Sequence, residues 1–339
     1  YDQYQLLHNS LDLIHPGVLG KSEIFFVGFG SDATQDVFMK EAKHIQNVSD
    51  AYLGTNDRSM VMINNIATMD TVPLATSTNL ALSLAHISRK MNLEEDVLFL
   101  YLTSHGSGNH ELSVNMWLLD LNDIRPEDIK AYLDEAGIRW RVILISACYS
   151  GGFIQKLQNE NSLIFTAAAA DKTSFGCVNE NEFTYFGETV FDQIKREPYS
   201  LETSFKMAIE KIKQRELSEN LPHSEPQLFI GNMMLDKLKQ LEQFNKPFAI
   251  AVNSTMALQA NRIFIQGKNS ADGNLGQYDT TTAFYINPNY APRATGKKVK
   301  GIEGLNPPTG KNGDTEFKNG KKHKTTYVKN YKAFRNRIG

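Results

Sequence analysis

Two apolar runs in this chain each end in a side chain able to do covalent chemistry. The run Asp96–Ser104 is followed by His105-Gly106-Ser107-Gly108, and the run Trp140–Ala147 by Cys148-Tyr149-Ser150-Gly151-Gly152. An ordinary thiol, with a pKa near ~8.5, is only a few per cent ionised at neutral pH. An imidazole within reach can take its proton and later return it to a departing amine. A glycine after His105 lets a carbonyl approach the backbone closely, so the N–H groups of Gly106 and Cys148 are the expected donors to an oxyanion. Taken singly, each residue has a plainer reading. A cysteine ending a core strand is commonly a small buried hydrophobe, and a histidine after a strand commonly lies at the surface. Together, each at a run's end and near glycine, they favour a nucleophile–base pair, with Cys148 as nucleophile and His105 as general base and acid.

Such a pair works only if the preceding elements bring the two tips to one edge. Strand-like segments occur at 23–30, 58–65, 96–104, 140–147, 163–170 and 227–230, and helical patterns at 34–53, 78–91, 125–136, 182–196 and 200–217. Near-continuous apolar strands separated by amphipathic helices predict a mostly parallel sheet of about six strands, covered on both faces. In such sheets the working residues stand just past the carboxyl ends of the strands. The spacing of 43 from His105 to Cys148 leaves room for a hairpin, a helix and one strand.

The 339 residues are 41% hydrophobic and 22% charged, an ordinary balance for a globular chain. No stretch approaches the roughly 20 apolar residues that cross a bilayer. Cys148 and Cys177 are the 2 cysteines, which excludes a disulfide framework and a multi-cysteine zinc site. The net charge of -2 conceals an asymmetry, since residues 1–245 carry 20 Lys/Arg against 33 Asp/Glu and residues 246–339 carry 16 against 5. This predicts two modules, an α/β domain over 1–245 and a basic region of irregular and β character over 246–339. Strand-like pieces stand at 262–266 and 282–286, and 296–324 reads as a flexible basic segment. The basic region suits a polyanion such as nucleic acid or anionic lipid, or an intramolecular contact with the acidic domain. The chain begins at Tyr1 without Met, as expected of a processed or truncated product.

The strings LTSHGSGNHELS, IRWRVILISACYSGGF, DKTSFGC, FTYFG and SEPQLFIG resemble the legumain family of the caspase-like clan, in its bacterial branch. That family contains asparaginyl peptidases and glycosylphosphatidylinositol transamidases, and the resemblance covers about residues 15–245. It implies a caspase-like three-layer α/β/α sandwich and a cysteine endopeptidase without cofactor or metal, acting on protein or peptide substrates through a thioester. It matches His105 and Cys148 to the catalytic dyad and Gly106 to the oxyanion-hole glycine. Legumain has Glu-Ala-Cys where this chain has Ser146-Ala147-Cys148, and its Arg-His-Gln segment aligns with Ala33-Thr34-Gln35. Asparagine specificity is therefore not inherited. The remaining pocket candidates are Ser146, Asp171, Ser174 and Glu188, and an acid there would favour a basic or amide side chain. Cys177 is read as a packing residue or pocket neighbour. The resemblance also implies that an upstream segment could tether the chain to a membrane, whereas the lack of a disulfide framework fits the cytoplasm.

Other chemistries compete. A ligase or transamidase would use the same dyad, with an amine replacing water. Gly28-Phe29-Gly30-Ser31-Asp32-Ala33 fits the dinucleotide fingerprint, with Asp50 about 20 residues on as the ribose acid. A non-catalytic interaction protein is a further class. A serine hydrolase needs G-x-S-x-G, which neither Ser31 nor Ser107 has. The 8 histidines are scattered and carry no zincin motif.

Overall fold

The computed structural model describes residues 2–242, apart from Tyr199 and the side chain of Asp2. All lie in Tyr1–Leu258, the first of the two units into which the chain divides. The basic region 246–339, with its strand-like pieces and any polyanion contact, lies outside the described residues.

Elements follow in the order α1 (Asp2–Asp12), β1 (Ile24–Gly30), α2 (Asp36–Tyr52), β2 (Ser59–Ile63), α3 (Ser77–Ser88), β3 (Val97–Thr103), α4 (Pro126–Glu135) and β4 (Trp140–Ser146). After β4 come a 3-10 turn at Ser150–Phe153, α5 (Ile154–Leu157), β5 (Ser162–Thr166), α6 (Tyr185–Arg196), α7 (Leu201–Ser218) and β6 (Gln227–Ile230). A further helix occupies 232–242. The six strands form one sheet in the order β2-β1-β3-β4-β5-β6, parallel throughout except for the antiparallel β5–β6 pair.

The sequence pattern explains the layering. Along β3, Leu98, Leu100 and Leu102 enter one core with residues of α1, α3 and α4, while Val97, Phe99 and Tyr101 enter a second with α2, α6 and α7. Both faces are covered, so every residue of β1, β3 and β4 is buried. This is a three-layer α/β/α fold. Among the described residues no helix is long and apolar enough to cross a membrane.

Three segments differ from the sequence expectation. α1 was unforeseen, yet Leu7 and Leu11, one turn apart, enter the first core with Ile14. The helix at 232–242 likewise buries Met234, Leu238 and Leu241 against the second. The apolar run 163–170 leaves the sheet at Thr166, because Ala168 N–H turns to Ser150 Oγ (3.2 Å) and Ala169 N–H to the Ser224 carbonyl (2.9 Å).

The glycines of the dinucleotide-like string have a packing cause. A Cβ at Gly30 would stand 2.8 Å from the Phe38 carbonyl oxygen, so glycine is what lets α2 lie this close to β1. Asp50, the would-be ribose acid, is instead bonded to Thr55 Oγ1 (2.6 Å), and burial pushes its carboxyl up. Gly30→Ala should displace α2 and cost about 1–3 kcal/mol by overpacking. Urea unfolding measures this, and an unchanged midpoint would refute it.

Candidate active site

The β3–β4 ladder runs in register to Thr103 opposite Ser146, and Ser104 N–H continues it to the Ser146 carbonyl (3.2 Å). His105 and Cys148 each stand two residues beyond that last pair. Parallel register alone therefore sets both on neighbouring tips at the carboxyl edge.

His105 is half-buried, its ring edge-on to Phe38 of α2 with centroids 5.0 Å apart. The loop after it doubles back. Ser107 N–H donates to Glu111 (3.0 Å) and Ser113 N–H to His105 (3.0 Å), flanking a Gly106–Leu112 bridge. In such a pair the N–H of Gly106 points away from Leu112 and stays outside the ladder. Gly106 lies so close to the next tip that a Cβ would meet the Cys148 carbonyl oxygen at 2.0 Å. The Ser113 carbonyl then collects the hydroxyls of Ser31 (2.7 Å) and Ser104 (2.6 Å), tying this loop to the ends of β1 and β3.

The loop after Cys148 is equally fixed. Tyr149 takes a left-handed conformation (φ 56°), its N–H donating to Lys172 (2.7 Å) and its carbonyl accepting from His110 Nδ1–H (3.0 Å). Cys148 Sγ is half-buried and receives Ser174 N–H at 3.3 Å, with Ser174 Oγ 3.7 Å away. The Cys177 thiol, Ser174 and the charge of His105 lower the Cys148 pKa to about 6 against the opposing effect of burial. Cys177 is pushed the other way by Cys148, by burial and by the negative charge of Glu41. Neither cysteine is in a disulfide.

Glu41 of α2 is fully buried under this edge. Its Oε1 accepts from Tyr101 Oη (2.6 Å) and Thr103 Oγ1 (2.7 Å), and its Oε2 from the main-chain N–H of Thr184 (2.7 Å), the N-cap of α6. One carboxylate thus joins α2, β3 and α6 and suits the positive end of the α6 dipole. Nothing in its sequence context marked it, because an acidic residue in a helix usually faces solvent.

The pocket candidates separate. Ser174 touches the Cys148 sulfur. Ser146 is buried, its Oγ 2.9 Å from Thr184 Oγ1. Glu188 lies at the exposed start of α6 in an ion pair with Arg215 (2.6 Å), whose guanidinium stacks on Tyr185. Asp171 is exposed on the turn before Lys172. At the aligned position of legumain's Arg-His-Gln, Thr34 folds onto Asp32, bonding it through both N–H (2.8 Å) and Oγ1 (2.5 Å).

Residues 84–237, which carry both strand tips, match the model of the Peptidase C13 family. The chain carries a legumain-like cysteine peptidase domain. The peptidase is also similar in structure to a caspase-1 from Spodoptera frugiperda, at 11% identity and a TM-score of 0.45, over 65% of this chain and 91% of that one. None of the curated proteins matches it.

Glu41→Ala would leave Tyr101, Thr103 and Thr184 donors buried without their acceptor, and each such group costs about 1–3 kcal/mol. The expected outcome is a loss of at least about 3 kcal/mol in urea unfolding, with Glu41→Gln, which keeps one acceptor oxygen, losing less. Equal stability of Glu41→Ala and the parent would show that Glu41 is not the joint described.

Proposed function

We propose that the peptidase hydrolyses peptide bonds with Cys148 as nucleophile and His105 as general base and acid. The observation that carries this reading is the in-register β3–β4 ladder, which leaves both side chains two residues past one shared edge. Cys148, its thiol proton taken by the His105 imidazole, adds to the scissile carbonyl as the thiolate. The N–H groups of Gly106 and Cys148 receive the oxyanion. Collapse breaks the C–N bond, and His105 gives its proton to the departing amine. A water, deprotonated by His105, then attacks the thioester, and the released sulfur regains its starting state. With a pKa of about 6, most of the sulfur is ionised at neutral pH, so the first step starts from a competent nucleophile.

Substrate preference would follow from any acid that lines the pocket beside the sulfur. Asp171 lies close in sequence to Lys172, whose carbonyl holds the Tyr149 N–H, and Glu188 opens α6. Either carboxylate, with Ser174 beside the nucleophile, would favour Lys or Arg on the acyl side of the cleaved bond.

A peptidyl acyloxymethyl ketone should modify wild-type protein at Cys148, located by peptide mapping. Cys148→Ala should show no such adduct, and His105→Ala should react at least about 100-fold more slowly. Full peptidase activity in either variant would sink the dyad. In a fluorogenic panel, peptides with Lys or Arg at the cleavage position should lead; preference for Asp or apolar residues would reject the acidic pocket.

A further inference from the structure

The two loops at this edge meet through residues bent in the same uncommon way. His110, in the loop that begins at His105, has φ 62°, and Tyr149, the residue after Cys148, has φ 56° and ψ 16°. Both are left-handed, a conformation that histidine enters more readily than most side chains and that is exceptional for a bulky tyrosine. A residue persists there only when its neighbours hold it.

The neighbours of Tyr149 come from both sides of the cleft. The His110 main-chain N–H donates to the Ser107 carbonyl (2.9 Å), and its half-buried ring lies against Gly152. A Cβ on Gly152 would stand 2.1, 2.3 and 2.4 Å from ring atoms Cγ, Nδ1 and Cδ2, so only glycine there admits the imidazole. Nδ1 then reaches the Tyr149 carbonyl at 3.0 Å. A carbonyl can only accept, so Nδ1 carries the proton. The same carbonyl receives the Gly152 N–H (3.2 Å), and the Lys172 carbonyl holds the Tyr149 N–H (2.7 Å). Both peptide planes flanking Tyr149 are thereby pinned, one of them by a side chain from the loop of His105. The plane before Tyr149 carries the Cys148 carbonyl, packed so closely on Gly106 that a Cβ there would meet it at 2.0 Å. Without the His110 bond, Tyr149 can relax toward negative φ by rotating these planes, and Cys148 turns with them.

We propose that His110 is a positioning residue of the peptidase, whose imidazole clasps the Tyr149 carbonyl and so keeps the Cys148 N–H and sulfur aimed at one substrate carbonyl. The proposal rests on the reading of Cys148 as nucleophile. The clasp acts through the main chain of the nucleophile's loop, so its loss falls on alignment in the transition state rather than on substrate affinity.

The test compares His110→Gly with His110→Asn in the full chain. Both residues accept a left-handed backbone, but only asparagine keeps a side-chain N–H donor. With a fluorogenic peptide, kcat of His110→Gly should fall by about 10-fold or more while KM stays within about threefold of wild type. His110→Asn should regain most of that loss, an outcome that also excludes His110 as the general base, since an amide cannot take up the proton. Alkylation of Cys148 by iodoacetamide needs no oxyanion hole, so both variants should react within about threefold of wild type. A wild-type kcat in His110→Gly would overturn the proposal, as would an asparagine variant as slow as glycine, a loss confined to KM, or a parallel collapse of Cys148 alkylation. Failure of the underlying reading is distinct: Cys148→Ala would then retain peptidase activity, whereas failure of the clasp alone leaves Cys148→Ala inactive and His110→Gly at the wild-type rate.

Discussion

The chemistry of this edge depends on the parallel pairing of β3 with β4. Parallel strands of equal length, ending opposite one another at Thr103 and Ser146, deliver their next residues side by side. The alternative of a one-residue slip would turn each strand's apolar faces inside out, exchanging the leucines of one core for the aromatics of the other. With both faces covered by helices, that exchange is blocked by packing on two sides. The register is thus set by hydrophobic burial along the whole strand, and the juxtaposition of His105 and Cys148 is its consequence.

Beyond the last ladder pair, packing no longer determines the chain path, and polar contacts take over. Serine hydroxyls just past β1 and β3 converge on the Ser113 carbonyl. His110 and Lys172 hold the main chain of Tyr149. Glu41 binds β3 and α6 from beneath. Each bond answers a buried backbone or side-chain group that would otherwise be costly to desolvate. The result is a pair of short, tied-down loops, as the proposed oxyanion site would require. The contact of Gly106 with the Cys148 carbonyl admits no side chain between the tips.

The electrostatics of the edge divide along the same line. Glu41 lies on the α6 and Cys177 side, and the charge acting on Cys148 comes from His105. Two thiols with similar intrinsic acidity are thereby pushed in opposite directions. Glu188, at the exposed start of α6, forms an ion pair with Arg215 of α7.

Much of this was legible from the residues. Apolar runs with two-sided burial required a covered parallel sheet, and the endings SHG and ACYSGG placed a histidine and a cysteine at its carboxyl edge, because strand periodicity and the parallel rule act locally. Glycine after His105 had a local reason as well. Tertiary structure alone decided the rest. It turned an unremarked helical glutamate, Glu41, into the joint beneath the site, took Ser146 into a buried bond with Thr184, and ended β5 at Thr166 rather than Ala170. It also brought Ser174, 26 positions from Cys148 in the chain, into contact with it. Sequence patterns report which face of an element is buried; they carry no information on which distant polar group will meet another. That is set by the loops and helix ends that close over the sheet, where no periodicity constrains the chain.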